Sequence, residues 1–266
     1  MPLKIFIMEH SIRILGTNGT KGLNGGTSSF YIDSKNVIDA GNLLIPLGAK
    51  SADVETIWLT HSHLDHIIDI AYILDSYFSE RKRPLVLRGL ASTLNAVKEH
   101  FFNDIIWPDF SLIPLGKEKG MAIEYQPIEI GTKYTLENGS VLEAIETDHT
   151  VPSCGYVVTE GDSALLISAD TLSLNSVLAY IDTHSNVKSM VIECSFPSSM
   201  EHLAKVSKHL TPKILFESLK SIENSGIALY INHIKPLHKK IIIEEIALYK
   251  GSWKVEVLED GDKINF

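Results

Sequence analysis

Cysteine is nearly absent from the 266 residues: only Cys154 and Cys194 occur, too few and too far apart for a disulfide framework or a CxxC metal site. Basic residues are also in deficit, with 24 Lys and Arg against 33 Asp and Glu and a net charge of −9 with His neutral. A surface of that sign repels a phosphate backbone and argues against binding DNA or RNA through a basic face, whereas a single small anion can still be met by local cations or metals. No apolar run approaches the roughly 20 residues that cross a bilayer, so no membrane association is expected. The opening stretch is interrupted by Lys4, Glu9, His10 and Arg13, which does not suit a secretory signal, and a cytoplasmic protein is expected. Low-complexity segments, charge blocks, short repeats and Gly/Ser linkers are missing as well. With 44% hydrophobic and 21% charged residues, the chain is neither disordered nor fibrous and can bury a large core as one domain over residues 1–266. Histidine is what stands out, with 11 copies, three of them within six residues.

Short β-branched and aromatic runs separated by turn signals predict strands at Ile5 to Met8, Ile12 to Leu15, Ser29 to Ile32, Val37 to Asp39 and Thr56 to Thr60. Beyond His66 the period changes: Ile67, Ile70, Ala71, Leu74, Tyr77 and Phe78 share one face of a helix that ends before Pro84. A strand at Leu85 to Leu87 and a helix at Ser92 to Phe102 follow. Asn103 to Lys133, with Pro108, Pro114, Pro127 and three glycines, reads as an irregular surface excursion. The second half repeats the pattern, with strands at Val141 to Ile145, Gly155 to Val158, Ala164 to Ser168, Val191 to Glu193, Ala228 to Asn232 and Lys254 to Leu258. Its helices are predicted at Ser199 to His209, Pro212 to Ile222 and Lys239 to Tyr249. Two αβ halves, about 1–140 and 141–266, predict an α/β protein packed as a four-layer αββα sandwich.

The segment His61-Ser62-His63-Leu64-Asp65-His66 lies between a predicted strand and a predicted helix. Three imidazoles and a carboxylate on one turn offer the nitrogen and oxygen donors that suit zinc or another first-row divalent ion. Four ligands so close in sequence do not all fit one ion, which points to two adjacent metals. Further ligands are sought at strand ends in the second half, where His149, Asp170 and His233 each follow an apolar run. Taken singly, each is as readily a helix cap or a polar residue bonded within the fold; their order and spacing favour ligation.

That order, HxHxDH followed by His, Asp and His, resembles the metallo-β-lactamase superfamily over essentially the whole chain. The Leu in HSHLDHI, the stretch Glu193-Cys194-Ser195-Phe196-Pro197 and His233-Ile234-Lys235-Pro236 resemble the class II cyclic-nucleotide phosphodiesterases within it. Asp69 departs from that pattern, standing where the family usually has Gly or Ser. The resemblance implies one zinc on His61, His63 and His149, a second on Asp65, His66 and His233, and Asp170 bridging both; manganese and iron accept the same donors. It implies further that the two ions share a hydroxide that attacks the phosphodiester, with Asp65 relaying a proton, and that the protein is a homodimer. Asp39, in Ile38-Asp39-Ala40-Gly41, resembles the family's strand-end Asp that orients a ligand His, or else it simply forms a turn.

Other residues carry weaker signals. The glycine-rich loop Gly16 to Gly26 is no P-loop, because Gly22 follows Lys21; it is either a rim beside the pocket, with Asn24 near substrate, or a plain hairpin connection. Lys235 either approaches a phosphate or stays on the surface. Phe101, Phe102, Trp107 and Phe110 either wall a nucleobase or pack in the core. Cys154 and Cys194 read as buried small hydrophobes, and His10, His100, His184, His202, His209 and His238 have no ligand-like context. The expected activity is hydrolysis of cAMP or cGMP to the 5′-monophosphate. A transfer-RNA 3′-processing ribonuclease is disfavoured by the acidic balance and the lack of a basic insertion. A lactam, lactone or thioester hydrolase of the same fold stays open; a metal-binding protein without turnover is disfavoured by the complete ligand set.

Overall fold

The computed structural model describes residues 11–116, 120–222 and 226–266. The strand expected at Ile5 to Met8 lies outside them. Two seven-stranded sheets form the body. The first contains β1 (Ser11–Gly16), β2 (Ser29–Tyr31), β3 (Asn36–Ile38), β4 (Thr56–Trp58), β5 (Leu85–Leu90), β6 (Ile123–Ile128) and, beside β1, the last strand β14 (Lys263–Asn265). The second runs β7 (Lys133–Thr135), β8 (Val141–Glu146), β9 (Cys154–Glu160), β10 (Ser163–Ile167), β11 (Val187–Glu193), β12 (Ala228–Asn232) and β13 (Val255–Val257). In each sheet four strands are parallel, β3 to β6 and β10 to β13, and the others antiparallel. The chain thus changes sheets at Lys133, slightly before the expected boundary, and β14 returns to the first sheet.

Alternation along the strands explains the layers, because successive side chains point to opposite faces. In β10, Leu165 and Ile167 enter the core between the sheets while Ala164 and Leu166 face the outer helices. Likewise Trp58 points between the sheets, and Ile57 and Leu59 point outward into the helical layer. Strands buried on both faces read as unbroken apolar runs. The helices are α1 (Leu44–Leu47), α2 (Leu64–Tyr77) and α3 (Ala91–His100) in the first half. The second half has α4 (Asn175–Thr183), α5 (Glu201–Val206), α6 (Pro212–Ser218) and α7 (Lys239–Tyr249). Residues of α2 and α3 pack on the outside of the first sheet, and residues of α4, α6 and α7 outside the second. This is the four-layer αββα sandwich expected. Among the described residues, no helix is long and apolar enough to cross a membrane.

Three expectations are corrected. α2 begins at Leu64, with His63 at its N-cap, so Asp65 and His66 belong to the helix rather than to the turn before it; an acidic residue in the first turn is favoured by the helix dipole. Residues 103–133 do not simply wander over the surface, since Ile123–Ile128 is the parallel edge strand of the first sheet and Phe110 and Ala122 are buried. Pro127 is tolerated there because an edge strand has one side without a ladder. α4 and β14 are additional elements. Cys154 and Cys194 are buried, as expected.

Candidate metal centre

The site lies where β3, β4, β8, β10 and β12 end, the edge of parallel α/β sheets at which loops from different strands converge. Three of its strand exits adopt a left-handed backbone: φ is 58° at Asp39, 54° at Ala169 and 60° at His233. Non-glycine residues hold this conformation only when the surroundings enforce it. His233 is braced by the β1–β2 loop, its N–H donating to the Thr17 carbonyl at 2.8 Å. Gly19 permits that approach, because a Cβ there would sit 2.5 Å from the His233 carbonyl oxygen.

Four of the five inward-facing imidazoles have one nitrogen tied to the protein, which leaves the other for the centre. His66 Nδ1 donates to Asp39 Oδ2 at 2.7 Å. The Thr60 hydroxyl donates to the same Asp39 oxygen at 2.8 Å and so accepts from His61 Nδ1 at 3.0 Å. His149 Nδ1 donates to the Lys208 carbonyl at 3.1 Å. Ser195 Oγ donates to Glu193 Oε2 at 2.9 Å and accepts from His233 Nδ1 at 3.0 Å. Such partners fix the tautomer and aim of an imidazole that binds metal. Asp39 thus holds both the His66 ring and the Thr60 hydroxyl.

The free nitrogens converge. His61 Nε2 and His149 Nε2 lie 3.1 and 3.2 Å from His63 Nδ1, and His66 Nε2 lies 3.2 Å from His233 Nε2. The Asp170 carboxylate sits between the two groups, with Oδ2 at 3.6 Å from His61 Nε2 and 3.5 Å from His66 Nε2, and Oδ1 at 3.2 Å from His233 Nε2. Asp65 Oδ2 approaches His233 Nε2 at 3.4 Å. Three overlapping sets of donor atoms are each compact enough to hold one ion: His61, His63, His149 and Asp170; Asp65, His66 and His233; and Asp170, His209 and His233. Asp170 Oδ1 is buried without a hydrogen-bond partner, a costly state for a carboxylate oxygen unless a cation meets it. Donor type, convergence and this orphaned oxygen fit a divalent metal site.

Electrostatics follow the same geometry. Burial alone would raise the Asp170 carboxyl, but the charges of His233, His66 and His61 hold it well below the usual carboxylate range. Asp65 is likewise held low against its burial, by the hydrogen bond with His233 and the charge of His66. Burial drives the His61 imidazole far down toward its neutral form, with the His66 charge adding to the effect. His66 is opposite in sense: burial would lower it, and the carboxylates of Asp170 and Asp39 raise it well above an ordinary imidazole.

A cavity of about 580 Å³ opens over this centre, lined by His63, Asp65, Asp170 and His233 together with Gly19, Lys21, Gly41, Ile68, Asp69 and Tyr72. The β1–β2 loop forms one rim. Asn24 is not on it: Asp260 clamps both ends of the loop, accepting from Thr17 N and Gly26 N, and the tip turns to the side of Pro236 and Glu259. Lys235 lines the cavity with its ammonium bound to the Gly19 carbonyl at 2.9 Å and lying over the Phe196 ring. Asp69 accepts from the N–H groups of Leu43 and Leu44 at 2.6 and 2.8 Å and so anchors the backbone beside Gly41. Phe101, Phe102 and Phe110 are core residues; Trp107 touches Tyr72 edge-on. His209, which has no ligand-like context in the sequence, lines the cavity, stacks 5.4 Å from His233 and donates from Nδ1 to Glu193 Oε1 at 2.9 Å. Burial would lower its pKa, and the charge and hydrogen bond of Glu193 raise it instead.

Known proteins share both sequence and fold with this chain. A probable 3′,5′-cyclic-nucleotide phosphodiesterase of Yersinia pestis is 25% identical over 247 residues, 80% of this chain and 68% of that protein. The 3′,5′-cyclic-nucleotide phosphodiesterase 1 of Saccharomyces cerevisiae is 24% identical over 224 residues, 71% of this chain and 60% of its own length. The chain thus spans about two thirds or less of these relatives. Among solved structures, unliganded yeast PDE1 superposes with a TM-score of 0.79 at 17% identity, covering 96% of this chain and 99% of that one. The metallo-β-lactamase fold protein YhfI of Bacillus subtilis does so with 0.72 at 16% identity, covering 96% and 99%. The two establish the fold as that of the metallo-β-lactamases. The model of the class-II cAMP phosphodiesterases matches residues 49–188, which include His61 to His66, His149 and Asp170. Because that match takes in more than half of the chain, the protein belongs to the class-II cAMP phosphodiesterase family.

Proposed function

We propose that the protein hydrolyses 3′,5′-cyclic nucleotides, cAMP or cGMP, to 5′-nucleoside monophosphates with two divalent cations, zinc foremost. The carrying observation is the pair of donor sets that meet at Asp170 beneath a cavity the size of one small ligand. His61, His63 and His149 would hold one ion, Asp65, His66 and His233 the other, and Asp170 would touch both. Bound there, two dications supply concentrated positive charge beside a phosphodiester and bring the pKa of water toward neutrality.

The chain's own residues do the remainder. Asp39, Thr60, Ser195 and the Lys208 carbonyl keep the imidazoles aimed before substrate arrives, so little reorganisation accompanies reaction. His209, its Nδ1 fixed by Glu193, has Nε2 left to give a proton to the departing 3′ oxygen. Asp65, whose carboxyl is held low, is a poor proton acceptor near neutrality and serves better as a ligand than as a relay. The net charge of −9 disfavours a polyanion.

Incubation of metal-replete protein with cAMP and cGMP at millimolar concentration, with the 5′-monophosphates resolved by chromatography, tests the reading. Conversion is expected, together with loss of conversion on chelation. Efficient cleavage of precursor tRNA with both cyclic nucleotides untouched would overturn it.

A further inference from the structure

The cavity has two unlike walls. On one side stand Gly19, Thr20 and Lys21, offering backbone and a cation. On the other, Leu64, Ile68 and Tyr72 follow one another at intervals of four along α2, the spacing that places side chains in a row on one flank of a helix. The core-facing residues Ile67, Ile70, Ala71 and Leu74 bury the adjoining flank. The two ends of the row are left uncovered, Leu64 being 61% and Tyr72 44% exposed, while Ile68 between them is half-buried against the core. Apolar side chains kept open beside a buried polar centre are a recognition feature rather than a packing one.

We infer that Ile68 and Tyr72, with Leu64 at the inner end, form the shelf on which the base of a nucleotide lies while its phosphate reaches the metal centre; the assignment rests on the function proposed above and adds the position of the base. Continuity carries it, since Leu64 adjoins His63 and Asp65, and the row then runs outward for eight residues, about 12 Å along the helix. That length suits a single nucleoside. The Trp107 ring, 6.0 Å from Tyr72 and inclined at 78°, abuts the phenol and restricts its swing. An aromatic face so held accepts any base by stacking, which is tolerant of base identity. The aromatic cluster Phe101, Phe102 and Phe110 is not available for this purpose, being buried.

The test compares adenosine 5′-monophosphate with ribose 5-phosphate, which lacks only the base, by calorimetric titration of metal-replete wild type, Tyr72→Ala, Tyr72→Phe and Leu64→Ala. Wild type is expected to bind the nucleotide at least about tenfold more tightly. Tyr72→Ala should remove most of that preference, Tyr72→Phe should retain it, and affinity for ribose 5-phosphate should stay constant throughout. In cAMP hydrolysis Tyr72→Ala should raise KM by a similar factor with kcat within about twofold. Equal affinity of wild type for the two ligands, or a preference that survives both alanine variants, overturns the shelf. A preference that depends on Tyr72 in a protein that fails to hydrolyse cyclic nucleotides would sustain the shelf and refute the activity, so the two readings fail separately.

Discussion

At the deep end of the cavity, Asp39, His61, His66, Asp170 and His233 are almost free of solvent, and the three imidazoles are each tied through a second nitrogen to a protein partner. At the rim, Lys21, Leu64 and Tyr72 stand exposed on a loop and on the outer flank of a helix. The deep residues are held by bonds whose loss leaves buried polar groups unpaired, and they have little freedom to change. The rim residues are exposed, and on the proposed function they are the ones free to set what the cavity accepts. On the proposed function, chemistry and selectivity lie at the two ends of one axis, and substitutions there should differ in kind: metal content and kcat at the bottom, KM at the top.

The sharpest way to break this division is Asp170→Ala. Asp170 lies between both donor sets, so the variant should lose bound metal and fall on the order of 10³-fold in kcat/KM. Metal analysis and phosphodiester hydrolysis on the same preparation check it, and a variant that keeps two ions per chain contradicts the assignment. Asp39→Asn is milder. The carboxyl touches no substrate, yet it receives His66 Nδ1, Thr60 N and the Thr60 hydroxyl. Loss of that anchor should reduce metal affinity and turnover roughly 10- to 100-fold, with an unchanged circular dichroism spectrum. An Asp39→Asn protein with normal metal affinity would mean that the strand-end backbone alone positions His66.

Most of the deep end is legible in the sequence, because each of its residues follows an apolar run or sits in the HxHxDH motif. Strand-end logic points to His149, Asp170 and His233, whereas Asp39 rests on the family resemblance. What escaped depends on contacts between distant segments. His209 is 16 residues from Glu193, and only the approach of the segment after α5 to the end of β11 makes them a pair. Tyr72 falls between the apolar positions that identify the core face of α2, so periodicity discards it as surface. The first three residues of α2 precede its apolar period, and His63 caps the helix without the side-chain hydrogen bond that usually marks a helix start. α4 is absent from the expectations although Leu174, Val177, Leu178 and Ile181 stand at helical spacing. β14 contributes one buried side chain, Ile264, and three residues carry too little pattern to register.

Glu193→Gln probes the boundary between bottom and rim. The Glu193 charge and hydrogen bond keep the His209 pKa above that of an ordinary imidazole against its burial. If His209 gives a proton in the reaction, activity declines as pH rises through that raised value. Replacing the charge lowers the value and should bring the alkaline limb of the kcat profile to lower pH, with turnover down about tenfold above neutrality. A limb that stays in place would assign the proton to another group.

The smallest effect is expected at Lys21, and its form matters more than its size. Its ammonium is exposed at the cavity mouth and should act on the substrate's negative charge through solvent, as exposed charges do, contributing about 0.2–1 kcal/mol. Lys21→Ala should therefore raise KM for cAMP no more than about fivefold and leave kcat and metal content unchanged. Because the Debye length shrinks from about 30 Å at 0.01 M salt to about 8 Å at 0.15 M, the difference from wild type should fade as salt is added. A deficit that persists at high salt would mean a direct, desolvated contact with phosphate. That result would move Lys21 from the selective rim into the catalytic floor and erase the division at its most exposed point.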